Sequence, residues 1–355
     1  MKIQIGSKLV GENEKPYFIA DIAANHDGEL YRAFKLIELA KEAGADCAKF
    51  QNFKASTIVS RHGFETLGGL SHQKSWTKPV YDVYEDASLP NEWSVRLKEK
   101  CDEVGIEYMT SPYDQESVDV ADHFSHAFKI GSGDITWIDH IEYIAAKGKP
   151  VLLATGASDM RDVQRAVSVI YKHNKQLILM QCNTNYTANA ENYKYINLNV
   201  LKSFHNLYPE AILGLSDHTY GSATVLGAVA LGARVIEKHF TDDNSRSGPD
   251  HKFSMNPSTW RDMVSETEKL FYSLGDGTKK VEQNEQESIK VQRRALYFLH
   301  DFEAGHILSE RDIFPVRPFN QGDVLPYESA QIIGRRLKHA VSKDTSVKWE
   351  DIIIC

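Results

Sequence analysis

The sequence predicts an α/β protein with a (β/α)8 TIM barrel followed by a small β-rich domain. Short apolar runs alternate with stretches of helical periodicity, and this alternation is typical of a parallel sheet. Eight of these runs end in polar residues, as expected of a barrel that gathers its chemistry at the carboxyl ends of its strands. The chain has 355 residues, whereas one barrel needs about 250. We therefore expect a second domain.

The strand–helix repeat can be followed in order. Residues 1–16 are expected to form a short polar entry, such as a hairpin that caps the barrel floor. The expected barrel strands are 18–23, 46–51, 106–111, 127–131, 150–155, 177–182, 211–216 and 234–239. The helices are expected at 30–43, 91–104, 115–122, 138–147, 159–173, 196–206, 222–231 and 257–273, where apolar residues recur at helical spacing. We interpret the long segment 52–90 as a structured loop of the kind that often forms a lid.

The composition changes after residue 275. Residues 276–292 are rich in Gly, Lys, Glu and Gln, which is typical of a linker. From residue 293 onward, short apolar runs are separated by turns. The expected organisation is therefore a catalytic barrel at 1–275, a linker at 276–292 and a small β-rich domain at 293–355.

Composition and charge exclude several classes of function. The net charge of -8 gives no reason to expect a nucleic-acid partner. No run approaches the roughly 18 apolar residues of a membrane span, and the first residues lack the apolar segment of a secretory signal. The four cysteines, Cys47, Cys101, Cys182 and Cys355, form no C-x-x-C pair. We expect a cytoplasmic protein whose strand cysteines are reduced, buried thiols.

Strand alternation predicts which polar side chains point into the barrel. Along a strand, successive side chains face opposite sides. In the second strand Phe50 suits the helix layer, so Lys49 and Gln51 should point inward. The same alternation pairs Gln181 with Asn183 on the sixth strand, Ser216 with His218 on the seventh, and Glu237 with His239 on the eighth.

Two of these inward residues, His218 and His239, are a candidate metal pair. Adjacent strands lie about 4.8 Å apart, so two imidazoles at their ends can reach one ion. Two histidines completed by oxygen ligands suit Mn²⁺ or a similar ion with open positions for substrate and water. The alternative is a pair of hydrogen-bonded histidines without metal, and the spacing leaves both open.

Lys49 and Lys129 indicate an anion site, because an unpaired buried ammonium group is costly. A ligand phosphate or carboxylate is one partner, with Ser132, Thr155 and backbone N–H groups as further donors. The alternative is internal salt bridges to Asp21, Asp134 or Glu237.

Six motifs in barrel order resemble those of the sialic acid (N-acetylneuraminate) synthase family, also called nonulosonate synthases. They are D-I-A-A-N-H-D-G (21–28), A-G-A-D-C-A-K-F-Q (43–51), K-I-G-S-G-D (129–134), G-L-S-D-H-T (214–219), A-L-G-A-R-V-I-E-K-H-F-T (230–241) and G-P-D-H-K-F-S-M (248–255). R-R-A-L-Y (293–297) and Arg317-Pro318 are similar to the family's C-terminal antifreeze-like (SAF) domain. The resemblance covers nearly the full chain.

The resemblance implies an enzyme that condenses phosphoenolpyruvate with an N-acetylated aldose, either N-acetylmannosamine or a diacetamido-trideoxyhexose. Enol C3 attacks the aldehyde, water adds at C2, and C–O cleavage releases phosphate and a nine-carbon 2-keto-3-deoxy acid. The resemblance also implies Mn²⁺ or another divalent cation, and a domain-swapped homodimer.

Roles for individual residues follow from the same resemblance. His218 and His239 are the expected metal ligands, and the expected catalytic residues are Asp21, Lys49, Lys129 and Asp134. The expected phosphoenolpyruvate contacts are Lys49, Ser111, Lys129, Ser132, Thr155, Asn183 and Ser216. The expected sugar contacts are Gln51, Tyr186, Asp250 and Arg317, with Arg317 reaching from the SAF domain of one subunit into the barrel of the other.

Asp21 and Asp134 depart from the family, since most members have Glu at both positions. Each carboxylate is retracted by one methylene, about 1.5 Å. We hypothesise that the two changes make room for a bulkier sugar such as a diacetamido-trideoxyhexose. The double substitution Asp21→Glu, Asp134→Glu is then expected to change the ranking of aldose substrates, measured as phosphate release. An unchanged ranking would contradict the hypothesis.

Two other functions remain open on sequence grounds. A phosphoenolpyruvate-dependent synthase could use another aldose, as the octulosonate-phosphate synthases do, but those enzymes lack an SAF domain. A catalytically silent sugar-binding homologue could retain the SAF domain. The presence of both histidines and both lysines argues against the silent protein.

Overall fold

The computed structural model describes residues 1–68, 70, 73–74, 76–187 and 189–353. Cys355 lies outside the described residues. The chain divides into two compact units, Met1–Gly275 and Asp276–Cys355.

The first unit is a closed barrel of eight parallel strands, which confirms the predicted fold. Its strands are β3 (Tyr17–Asp21), β4 (Cys47–Asn52), β5 (Glu107–Pro112), β6 (Phe128–Ile130), β7 (Val151–Ala154), β8 (Leu177–Cys182), β9 (Ile212–Asp217) and β10 (Val235–His239). They pair in chain order, and β10 closes the barrel against β3. The expected entry hairpin is β1 (Lys2–Ile5) paired with β2 (Lys8–Gly11).

Helices surround the barrel. They are α1 (Leu30–Glu42), α2 (Ala55–Ile58), α3 (Arg61–Leu67), α4 (Val80–Asp86), α5 (Asn91–Val104), α6 (Gln115–Asp122), α7 (Ile138–Ala145), α8 (Met160–His173), α9 (Val200–Leu207), α10 (Ala223–Ala230) and α11 (Pro257–Leu274). The segment expected to be a long loop contains the three short helices α2, α3 and α4. None of the helices in the described part of the chain combines the length and hydrophobicity needed to cross a bilayer.

The barrel interior is apolar at its lower end. Ile3 and Val10 of the hairpin pack there against residues of the strands such as Ile19, Leu152 and Met180. The hairpin thus closes the floor, as the sequence predicted. A second, larger cluster lies between the strands and the helices, where Phe50 is fully buried. Polar chemistry is consequently confined to the upper, carboxyl end of the barrel.

The sequence predicted which side chains point into the barrel on β4, β8, β9 and β10. The prediction is correct for β4, β9 and β10. Cys47 at the base of β4 belongs to the interior cluster, and so do Ile212 of β9 and Val235 of β10. On β8, however, Ile178 and Met180 occupy the interior. Gln181 therefore faces the helix side, where its amide donates a 2.8 Å hydrogen bond to the carbonyl of Ile196. The inward residue at the end of β8 is consequently Cys182.

The second unit is a small β-rich fold with its own core. The stretch expected to be a linker contains helix α12 (Gln286–Gln292). Strand β11 (Ala295–Phe298) then pairs antiparallel with β12 (Ile313–Val316). Its core is formed by Leu296, Phe298, Leu308, Ile313, Val324, Ile332, Leu337, Val347 and Ile352.

Candidate active site

Two lysines and two carboxylates meet inside the top of the barrel. Lys49 Nζ lies 2.7 Å from Asp21 Oδ2, and Lys129 Nζ lies 3.0 Å from Glu237 Oε1. Lys49 Nζ also lies 3.9 Å from the second oxygen of Glu237, so the two pairs form one cluster. All four residues are at most 4% exposed. Since isolated buried charges are strongly unfavourable, each of these groups depends on the others.

The internal salt bridges weighed as an alternative are therefore present, with Asp21 and Glu237 as the partners. They do not exclude an anion site, because each ammonium group carries three N–H donors. Lys49 lies 3.4 Å from the hydroxyl of Ser111, and Ser216 donates a 3.0 Å hydrogen bond to Glu237. Two of the predicted anion-binding serines therefore border the cluster.

Mutual attraction favours the charged forms of Asp21 and Lys49. Burial raises the pKa of Asp21, but the charge of Lys49 and the surrounding polar groups, including hydrogen bonds from Lys49 and Gln51, together hold the pKa below its usual value. Burial lowers the pKa of Lys49, and Asp21 and Glu237 reverse the shift, so that the pKa lies above its usual value. Two cations balanced by two anions leave the cluster with no net charge of its own.

The predicted metal pair lies beside this cluster. The ring centroids of His218 and His239 are 5.3 Å apart. Nδ1 of His218 lies 2.9 Å from the carbonyl oxygen of Asn183, so that nitrogen carries the proton and donates it. Nδ1 of His239 is buried and has no hydrogen-bond partner in the described structure. Nε2 of His239 lies 3.7 Å from Asp21 Oδ2.

This donor set fits a divalent ion with open coordination positions. Burial, the largest effect, lowers the pKa of His239, which favours the neutral imidazole that a metal requires. Tyr186 and Phe253 pack edge-on or tilted against the two imidazoles. The described residues contain no group of three His, Cys, Asp or Glu arranged to hold a metal. The two imidazoles would therefore be completed by oxygen atoms of substrate and water.

Cys182 belongs to this site, although the sequence suggested only a buried thiol. It is free and buried. Burial raises its pKa, but hydrogen bonds to His218 and Ser132 and the charges of His218 and Lys129 together outweigh this effect, so the pKa lies below the usual value. The alternation that begins with Ile178 and Met180 on β8 could have identified it as an inward residue.

Three of the residues predicted to contact phosphoenolpyruvate are hydrogen-bonded to other parts of the protein. Ser132 Oγ accepts a 2.9 Å bond from the backbone N–H of Gly156, and Thr155 Oγ1 donates to the Met180 carbonyl at 2.9 Å. The Asn183 amide donates to the Tyr195 carbonyl at 3.3 Å. The ligand-binding roles of Ser132, Thr155 and Asn183 stay predictions.

Asp134 lies in a 3-10 turn at Ser132–Asp134 after β6. Burial raises the pKa of its carboxyl from 3.8 to about 6, and the charge of Lys129 offsets part of that rise. The folded state therefore binds this proton more tightly than the unfolded chain. The protonated carboxyl of Asp134 therefore contributes to the free energy of unfolding at low pH. This contribution is lost as the pH rises from about 4 to about 6.

Asp134→Asn is therefore expected to raise the melting temperature by several degrees at pH 8, because the cost of burying the charge disappears. At pH 4.5, where wild-type Asp134 is mostly protonated, the gain should be much smaller. Thermal denaturation at the two pH values measures the difference. Asp262→Asn on the exposed side of α11 is the control. Equal gains at both pH values would contradict the raised pKa.

A cavity of about 160 Å³ adjoins His239. Three predicted sugar contacts, Gln51, Tyr186 and Asp250, line it together. Gln51 Nε2 donates a 3.0 Å hydrogen bond to Asp21 Oδ2, which connects the cavity to the charged cluster. Its described lining is Ala24, Gln51, Phe53, Ile58, Trp76, Val83, Tyr84, Ala87, Tyr113, Tyr186, His239, Pro249 and Asp250.

The other predicted residues stand outside that lining. Asp21 is connected to the cavity through Gln51 and His239, and neither Asp21 nor Asp134 belongs to its described lining. Arg317 lies in the second unit, directly after β12, with an exposed side chain. Its contact with a sugar stays a prediction, as does the link between the two aspartates and sugar size.

Residues of the 248–255 motif hold Asp250 in place. Asp250 Oδ2 accepts a 3.2 Å bond from the backbone N–H of Ala24, and the backbone carbonyl of Asp250 accepts a 2.6 Å bond from Ser254. His251 is hydrogen-bonded to Asp27 at 2.8 Å and to Thr241 at 2.7 Å. The motif therefore positions the carboxylate of Asp250 in the cavity wall, and its histidine has a structural function.

Comparisons with known proteins show which family the chain resembles. Residues 36–279 match the NeuB family, and residues 293–353 match the SAF domain. The N,N'-diacetyllegionaminic acid synthase of Legionella pneumophila is 33% identical, over 98% of this chain and 97% of its own. The human N-acetylneuraminate-9-phosphate synthase is 28% identical, over 97% of this chain and 94% of its own.

A solved structure shows the same fold. The crystal structure of the N-acetylneuraminic acid synthetase from Leptospira borgpetersenii, in complex with citrate, aligns with a TM-score of 0.71 at 29% identity. The alignment covers 81% of this chain and 95% of that one. The resemblance stated from the motifs is thereby confirmed, and the SAF domain, whose presence argues against an octulosonate-type enzyme, is matched. With most of its barrel and its carboxyl-terminal domain matched, the chain belongs to the NeuB family of enzymes.

Proposed function

We propose that the protein is a nonulosonic acid synthase. It condenses phosphoenolpyruvate with an N-acetylated aldose and water, and it releases a nine-carbon 2-keto-3-deoxy acid and inorganic phosphate. The proposal rests on one observation, which is that three features lie together at one end of the barrel. These are the cluster around Lys49 and Lys129, the pair His218 and His239, and the cavity beside them.

Lys49 and Lys129 bind the anionic groups of phosphoenolpyruvate, with Ser111 and Ser216 as neighbouring donors. Charge-assisted hydrogen bonds of this kind are short and strong in a water-poor site. Glu237 keeps the two ammonium groups close to one another, since its two oxygens lie near one lysine each. The barrel thus supplies a fixed anion site before the sugar binds.

The reaction forms one C–C bond, and at C2 it forms one C–O bond to water and breaks the C–O bond to phosphate. Enol C3 attacks the aldehyde carbon, the aldehyde oxygen takes up a proton, and water adds at C2. Phosphate then leaves with the bridging oxygen, and the C2 hydroxyl loses its proton to give the ketone. Asp21 lies 3.7 Å from His239 and accepts hydrogen bonds from Lys49 and Gln51, so it can orient the water and take its proton.

His218 and His239 would hold a divalent ion such as Mn²⁺. Such an ion, when bound, withdraws electron density from a carbonyl oxygen and lowers the pKa of water. The two histidines need the neutral imidazole form for this, and burial lowers the pKa of His239 accordingly.

We also propose a cytoplasmic homodimer in which Arg317 of each copy contacts the sugar in the barrel of the other copy. The support is the family resemblance and, for the compartment, three free buried thiols at Cys47, Cys101 and Cys182. Light scattering of the purified protein measures the assembly. A concentration-independent monomer would contradict it.

The function is tested by phosphate release. The purified protein is stripped with chelator and given phosphoenolpyruvate with one aldose at a time: N-acetylmannosamine, a 2,4-diacetamido-trideoxyhexose or arabinose 5-phosphate. We expect release with an N-acetylated sugar only after Mn²⁺ is restored. Release with arabinose 5-phosphate alone would show the octulosonate-type activity. No release with any sugar would contradict the proposed function and favour a silent sugar-binding protein.

A further inference from the structure

A buried ion pair lies on the helix side of the barrel, directly behind the two histidines. Lys238 and Asp217 are partners in the register of β10 and β9, and each precedes one of the histidines in the sequence. Lys238 Nζ lies 2.5 Å from Asp217 Oδ2, and both side chains are 1% exposed. Because side chains alternate along a strand, the pair faces the helices while His218 and His239 face the site.

Lys238 holds both sequence neighbours of His218. Its ammonium group contacts Asp217 on one side and donates a 2.5 Å hydrogen bond to the backbone carbonyl of Thr219 on the other. The backbone N–H of Thr219 in turn donates to Asp217 Oδ1 at 3.2 Å. The side chain that directly precedes His239 therefore fixes the chain just before and just after His218.

Asp217 also anchors the start of α10. Its Oδ2 accepts hydrogen bonds from the hydroxyl of Thr219 at 2.9 Å and from that of Thr224 at 2.7 Å. Thr224 lies in the first turn of α10. The connection from β9 to α10, which contains His218, is therefore held at both ends by one carboxylate.

The strands and the helix that carry these groups are otherwise apolar on this side. Leu215 of β9, Ile236 of β10 and Val225 of α10 are fully buried in the cluster between the strands and the helices. Burying two charges in such a layer is costly, and hydrophobic residues of similar volume often give equal or greater stability. Stability alone therefore does not account for an ion pair at this place, whereas fixed geometry does.

We infer that Lys238 and Asp217 are positioning residues for the metal pair, which hold the two imidazoles at the separation that one divalent ion requires. This inference rests on the proposed function. The Asn183 carbonyl sets the rotation of the His218 ring through Nδ1, and the ion pair sets the position of its backbone. Because the expected site has two protein ligands, a shift of either imidazole weakens metal binding directly. Loss of groups that orient metal ligands typically lowers metal affinity by about 10- to 100-fold.

The double variant Lys238→Met, Asp217→Asn separates positioning from stability. It removes both charges, so no unpaired charge is buried, and asparagine keeps an oxygen that accepts hydrogen bonds from Thr219 and Thr224. We expect it to unfold at a higher temperature than Lys238→Met alone. In both variants Mn²⁺ affinity should be about 10-fold below that of the wild type. Electron paramagnetic resonance of the full-length protein with Mn²⁺ measures the free ion, and the spectrum of the bound ion reports its ligand arrangement.

Ile144→Val is the matched control for lost stability. Ile144 is buried in the same layer on α7, which follows β6 on the opposite side of the barrel from β10. The smaller side chain should lower the melting temperature and leave Mn²⁺ affinity and the spectrum of the bound ion unchanged. Wild-type Mn²⁺ affinity in the double variant would overturn the inference. So would an affinity that follows the melting temperature in all three variants, because the pair would then have a structural role alone.

Turnover gives a second readout. In the double variant, phosphate release at limiting Mn²⁺ should fall about 10-fold, and saturating Mn²⁺ should restore much of it. The KM for phosphoenolpyruvate should then stay near wild type, since Lys49 and Lys129 lie on other strands.

Failure of the proposed function is separated from failure of this inference, because Mn²⁺ binding is measured without substrate. If no sugar releases phosphate, the proposed function fails, and the Mn²⁺ affinities of the variants still decide the inference. Absence of Mn²⁺ binding by the wild-type protein would overturn the inference, whether or not phosphate is released.

Discussion

The substitution His239→Ala is expected to abolish metal-dependent phosphate release, with a loss of at least about 100-fold in kcat/KM. The side chain would be one of two protein ligands of the ion, and such an ion supplies several kcal/mol of transition-state stabilisation. Mn²⁺ affinity, measured by calorimetry or by the spectrum of free Mn²⁺, should fall in parallel. This second readout does not depend on catalysis.

His205→Ala is the matched control, because His205 lies in the last turn of α9 and is exposed. It should leave Mn²⁺ affinity and turnover unchanged. Unaltered Mn²⁺ affinity in His239→Ala would show that His218 and His239 are hydrogen-bonded histidines without a metal, which was the alternative left open by their spacing. The melting temperature of each variant shows whether the fold is intact.

The substitution Lys129→Met is expected to have a comparably large effect by a different route. Methionine keeps much of the volume of lysine but removes a cation from the anion site, so binding of phosphoenolpyruvate should weaken by at least about 10-fold. Glu237 then keeps the Ser216 hydrogen bond and Lys49, whose ammonium group lies 3.9 Å away. Removing one partner of a buried pair costs about 3–5 kcal/mol of stability. Chemical denaturation and the KM for phosphoenolpyruvate measure the two effects separately.

The double variant Lys129→Met, Glu237→Gln separates stability from binding. Neutralising Glu237 should restore much of the stability, since no unpaired charge remains. Phosphoenolpyruvate binding should stay weak. Lys238→Met is the control for a second buried pair, because Lys238 lies 2.5 Å from Asp217 on the helix side of β10. It should lower stability and, in the fraction that folds, keep the KM for phosphoenolpyruvate near wild type. A large rise in that KM would show that lost stability alone explains the effect of Lys129→Met.

Local patterns were sufficient for the architecture and for most of the inward faces. Lys49 was placed inside the barrel because Phe50 suits the helix layer, and the structure buries Lys49 in the charged cluster. The same reasoning did not identify Cys182, because β8 is apolar on both faces up to Met180 and its polar residue, Gln181, faces the helices. The helices α2 to α4 were also missed, since they are short and the segment 52–90 has a mixed composition.

The sequence by itself determined the strand–helix repeat, the entry hairpin, the family motifs and, on β4, β9 and β10, the side of the strand that carries polar groups. These properties depend on neighbours a few residues apart, which helical and strand periodicity report directly. Closure of the barrel decided which polar groups meet. It sets His239 in register with Asp21, and it joins Lys129 to Glu237 across 108 positions of sequence. Closure of the barrel also decided the pKa values of these groups, because a pKa depends on burial and on nearby charges. In this protein only the closed barrel brings those charges together.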